Sequence, residues 1–252
     1  MKRKFIITIR EFLNEGEKDS EKLAFTRKYT DGFFDYCKKN IKEIVKTLLS
    51  EAYYEFKLYD LNVVLTIDDL INTNQQQTLG EYDDETNTLR IVFFRYFEQF
   101  LGRIDDLSEL TKDEKELISG GIQNILVSPQ NDFTRKVQSD LMQVFHHEMI
   151  HHYDNLKYGK RYSASTTDLE KIKSEIEDEE ERLGYYVNMP HEIDANFIST
   201  LSRLIDNHGN GFGDFHTFRE MFLDYFPRWE NLSTDNKNKV TKRLYKFFDK
   251  LK

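Results

Sequence analysis

One stretch of this chain has the residue types and the spacing of a metal site. In FHHEMIHHYD (145–154), His147-Glu148-Met149-Ile150-His151 forms an H-E-x-x-H pattern. On an α-helix, side chains four positions apart lie on one face, so both imidazoles reach a single ion. Glu148 is about 100° further round the helix than His147, close enough to address a water on that ion without displacing it. His146 and His152 have no histidine four positions away, so the pairing belongs to 147 and 151 alone. The bland alternative is a chance cluster on a His-rich helix.

A catalytic zinc takes three protein ligands and keeps one position open. Cys37 is the only cysteine, which rules out an intramolecular disulfide and leaves His or carboxylate as the third ligand. NMPHEIDANF (188–197) offers His191, Glu192 and Asp194 near the start of a second helix. Glu192 is the choice. It shares a face with Ala195, Asn196 and Ser199, small residues that allow close helix packing, while Phe197, Leu201 and Leu204 form an apolar stripe. The competing reading makes Glu192 a plain carboxylate at a positive helix end, the role given to Asp194. Asp154, three positions after His151, could support that ligand, but the preferred reading is an exposed helix residue.

The elements that position these residues follow from periodicity. Ile41, Ile44, Leu48 and Leu49 recur at helical steps, predicting a helix over 21–57 that Gly32 interrupts. Residues 4–13 fit a short strand or a helix start. LNVVLTI (61–67) is β-branched and short, a buried strand. A turn around Asp83–Asn87 leads to a strand over Thr88–Phe94. One or two short helices over 95–127 are punctuated by Gly120-Gly121. The metal-site helix spans 133–157 and ends at Gly159, and residues 160–183 read as a charged, flexible insertion. Helices from Pro190 to Asp206, over 215–225 and over 234–250 complete the chain, an α+β order without repeats.

Composition limits the classes. Hydrophobic residues are 38% and charged residues 32% of 252, and the net charge is −9. No apolar run approaches the roughly 18–20 residues of a membrane span. An acidic balance argues against nucleic acid. FIITI near the start is too short for a secretory signal. The expectation is a protein that acts in the cytoplasm, with no membrane partner.

HEMIH followed by HEIDAN resembles the gluzincin branch of the zincin metallopeptidases, over residues 133–206 with an extension to 78–94. The tyrosines before Pro190 and the E-I-D-A core resemble small zincin-like proteins of phages and bacteria, which implies a virion as an alternative place of action. The resemblance implies a single, mostly helical zincin-like domain over 1–252, with a core at about 60–206, a small sheet and helical additions at both ends. It implies one zinc ion per chain, held by His147, His151 and Glu192, and Glu148 as general base against a peptide or protein substrate. Thermolysin-like members carry an Asp four residues after the ligand Glu; here Asn196 stands there, able to accept the same hydrogen bond without the charge. Zincins commonly hold the substrate backbone on an edge strand, a place that 88–94 can fill, although an ordinary buried strand fits it equally. An oxyanion donor is also required, with Tyr185, Tyr186, His208 and His216 as candidates. The rival to a peptidase is a zincin fold kept as a structural or protein-interaction module. A third reading is a non-peptidase hydrolase with the same zinc chemistry. Glu148 favours an enzyme, because a purely structural zinc has no use for a base.

Overall fold

The computed structural model describes residues 17–67, 80–104, 106–159, 176, 178–209 and 212–251. The expectations for 4–13, and for most of the 160–183 insertion, lie outside these residues.

Helix α1 (Glu17–Glu51) buries Leu23, Phe33, Cys37, Ile44 and Leu48 at helical spacing and passes through Gly32 without a break. It ends earlier than the periodicity predicts. Ala52 takes a positive φ of 67°, and Tyr53–Leu58 form strand β1 with alternating exposed and buried positions. That period-two pattern, with Tyr54, Phe56 and Leu58 inward, wins over any continued helix.

Strand β1 pairs antiparallel with β2 (Leu61–Thr66), and β2 pairs parallel with β4 (Thr88–Val92). The short strand β3 (Gly80–Asp83), which the sequence reading did not separate from its turn, pairs antiparallel with β4. The turn between them is held by Asp83, whose carboxylate accepts from the Glu85 N–H (2.9 Å) and the Thr86 hydroxyl (2.6 Å). The order is β1-β2-β4-β3. On the covered face Phe56 stacks on Phe33, and Phe33 meets Phe145, at centroid distances of 6.2 and 4.8 Å.

Helices α2 (Phe94–Leu101) and α3 (Lys112–Leu126) follow. A capping box starts α3: Thr111 Oγ1 accepts from the Glu114 N–H, and Glu114 accepts from the Thr111 N–H. The Gly120-Gly121 pair lies inside α3 and does not interrupt it. A Cβ on Gly121 would lie 2.6 Å from Phe97 Cε1, whereas one on Gly120 meets nothing within 4 Å. The two alanine variants therefore act in opposite directions. Gly120→Ala raises stability by about 0.5–1 kcal/mol, through helix propensity alone. Gly121→Ala lowers it by about 1–2 kcal/mol net, because overpacking of about 1–3 kcal/mol outweighs the same gain. Urea unfolding of the pair tests this, and equal shifts would refute it.

Helix α4 (Asp132–Tyr158) comes next, followed by α5 (Glu179–Val187), α6 (Pro190–His208), α7 (Phe215–Tyr225) and α8 (Thr234–Leu251). The last three pack around Leu201, Leu204, Phe218, Phe222, Leu244 and Phe247, all at most 4% exposed. The described chain forms two compact units, one made of Lys28–Glu148 and the other of residues up to Arg27 and from Met149 onward. The folded pattern is α+β, mostly helical with one small mixed sheet. Among the described residues no helix is long and apolar enough to cross a membrane.

Candidate metal centre

Helix α4 begins where Asn131 Oδ1 accepts from the Thr134 N–H at 2.8 Å, satisfying one of the orphan donors of the first turn. The apolar pattern Val137, Leu141, Val144 and Phe145 marks the face this helix should bury; Val137, Leu141 and Phe145 are buried, Val144 is half-buried, and the face continues into Met149 and Ile150. That burial orients the polar positions between the stripe residues. His147 and His151 are half-buried, one helical turn apart on the same face.

Helix α6 begins with Pro190 at its first position, and Glu192 falls in its first turn, 3% exposed. Ala195, Asn196 and Ser199 on the same face are buried, as are Phe197, Leu201 and Leu204. The small residues let the backbone of α6 be enclosed on nearly every side. Glu192 Oε1 lies 3.3 Å from His151 Nε2. One donor atom from each of His147, His151 and Glu192 falls within 4.8 Å of the other two.

These donors fit a metal ion. Ligand bonds of about 2.0–2.2 Å in tetrahedral geometry put donor atoms roughly 3.4 Å apart, close to the His151–Glu192 separation. Two imidazoles and one carboxylate form a recognised catalytic donor set for zinc, and imidazole also suits other transition metals. A buried carboxylate facing imidazole nitrogens is otherwise costly to desolvate, and a cation between them offsets that cost. The group could hold a metal ion; the identity of the ion belongs to the proposal below.

Glu148 Oε2 accepts a 3.1 Å hydrogen bond from the backbone N–H of Tyr82 in β3. Gly80 makes this approach feasible, since a Cβ there would stand 2.5 Å from Val144 Cγ1 and 3.9 Å from Glu148 Cγ. Strand β4 is interior to the sheet, so 88–94 is not an edge strand; among the described strands β3 is at an edge, and it borders α4 at Glu148. The strongly apolar composition of 88–94 is that of a strand flanked on both sides.

The remaining candidates are placed as follows. Tyr185 is 61% exposed and lines an open groove with Gly184, Asn188 and Met189. Tyr186 packs against the helical core. Asn196 is buried, and its backbone carbonyl accepts from Ser199 Oγ. His208 Nε2 lies 3.1 Å from the Tyr225 hydroxyl, and His216 is exposed on α7. Asp154, expected on the surface, is 2% exposed. It pairs with the buried Lys22, which also reaches Asp194.

His191, offered in the sequence beside Glu192, neighbours the ligand group, whereas Lys22 has no place in the sequence reading. His191 Nε2 lies 3.5 Å from Glu192 Oε1, and its ring meets the His151 ring edge-on at 5.7 Å. Lys22 carries no signal in the sequence, because its partners are 132 and 172 residues away. No family model, curated protein or solved structure matches this chain.

Proposed function

We propose that this protein is a zinc-dependent metallopeptidase of gluzincin-like type that hydrolyses peptide bonds in a peptide or protein substrate. The observation that carries the reading is the meeting of His147, His151 and Glu192 donors with Glu148 directly after the first of them. His147, His151 and Glu192 would hold the ion, leaving one position for water or substrate. Zinc, when bound there, supplies Lewis acidity and lowers the pKa of water to about 7.

The chain's own residues account for the proton movements. The Glu148 carboxylate takes a proton from the attacking water and delivers it to the departing amine nitrogen, so one group serves as base and then as acid. The Tyr82 N–H donates to Oε2 of that carboxylate. Holding the carboxylate by a backbone donor fixes its direction before substrate arrives. The His191 imidazole, beside Glu192, is a further N–H source for the developing oxyanion.

Removal of the metal tests the proposal. Dialysis against a strong chelator abolishes cleavage of a mixed-sequence peptide library, and one equivalent of zinc restores it. Cleavage that survives complete metal removal would overturn the peptidase mechanism. Stoichiometric zinc without cleavage of any library member would favour the protein-interaction module.

A further inference from the structure

We propose that Lys22 is a positioning residue for the metal centre, clamping the two carboxylates that follow its ligands, Asp154 on α4 and Asp194 on α6. The assignment rests on the metal-site reading above. Lys22 is 4% exposed, unusual for a lysine. Its Nζ lies 2.7 and 2.8 Å from the two oxygens of Asp154 and also bonds Asp194. Asp154 is three positions beyond His151, and Asp194 is two beyond Glu192. One ammonium therefore ties together the stretches of α4 and α6 that present two ligands, within a turn of each.

The cluster extends outward in one direction. Arg243 on α8 bonds Asp194 at 2.6 Å and Asp19 at 2.5 and 3.1 Å, and lies 4.0 Å from the centroid of the Phe197 ring. Asp194 thus receives two cations. Lys22 stays charged because the same carboxylates outweigh its desolvation.

Energetics alone do not explain a buried cluster of this kind. Well-packed apolar groups of similar volume are often at least as stabilising as buried ion pairs, and in some proteins such pairs are kept because they specify geometry. The geometry specified here is the spacing between His151 Nε2 and Glu192 Oε1, which has to match the bite of one small ion. Hydrogen bonds under 3 Å to a common donor allow little relative sliding of the two helices. Asp19 bonds Arg243 and touches neither ligand-bearing helix in this network, so it provides an internal control.

The test measures zinc affinity of the full chain by competition with a chromophoric chelator, the cobalt(II) visible spectrum, and the melting midpoint of metal-free protein. Lys22→Met weakens zinc binding by about 10–100-fold, the range for residues that orient ligands, and alters the cobalt band envelope. Asp154→Asn, which leaves the ammonium paired with Asp194, weakens binding about three- to tenfold and keeps the comparison open if Lys22→Met does not fold. Asp19→Asn lowers the midpoint and changes neither metal readout. Wild-type affinity and cobalt spectrum in Lys22→Met or Asp154→Asn would overturn the positioning role. Equal weakening by Asp19→Asn would do the same, by showing a general stability effect. A wild-type chain that takes up no zinc would instead remove the metal-site reading beneath it.

Discussion

Glu148→Gln leaves zinc content unchanged and lowers peptide cleavage by about a hundred- to ten-thousand-fold, the range for loss of a positioned general base. The substitution keeps the shape of the side chain, and its carbonyl oxygen still accepts the Tyr82 N–H. What disappears is the capacity to take a proton from water and pass it to the leaving nitrogen. Glu148 also falls outside the group of three donors, so metal affinity has no reason to change. Cleavage rates for wild type and variant at equal zinc occupancy settle the point. A variant retaining a third or more of wild-type activity would remove Glu148 from the mechanism.

Glu192→Gln acts on the other half of the site. Zinc affinity falls by more than about a hundredfold, because losing a direct ligand exceeds the 10–100-fold cost of losing a supporting partner. The metal-free protein behaves differently. Glu192 is 3% exposed, so a neutral amide of the same size relieves the desolvation of a carboxylate. The melting midpoint without metal accordingly stays level or rises while metal binding is lost. A residue kept for folding gives the reverse: a lower midpoint with metal affinity intact. Calorimetric zinc titration beside thermal unfolding of metal-free samples separates the two outcomes.

Much of this arrangement was legible in local pattern. The i, i+4 histidines fall on α4 because Val137, Leu141 and Phe145 bury the stripe beside them, and that stripe is visible in the sequence. Pro190 and the small residues Ala195 and Ser199 likewise announce a closely packed helix around Glu192. Strand β1 was hidden because its apolar residues continue those of α1, and only the switch from period four to period two separates them. Strand β3 is four residues long and nearly merges with its turn, so the sequence shows only the more apolar 88–94, which fits an edge or a buried strand equally and is interior.

Tertiary pairing was the part that sequence could not express. Asp154 reads as a surface residue until Lys22 is brought beside it from 132 positions away. Gly121 reads as a helix breaker until Phe97 is seen against it. In both cases a residue of poor local fit is explained by a distant partner.

Zinc K-edge X-ray absorption on protein loaded with one equivalent of zinc tests the metal centre most directly. The account predicts two imidazole nitrogens at about 2.0–2.1 Å, carboxylate and water oxygens at about 2.0–2.2 Å, and no sulfur near 2.3 Å. Failure to take up zinc stoichiometrically, or a first shell without imidazole scattering, would contradict it.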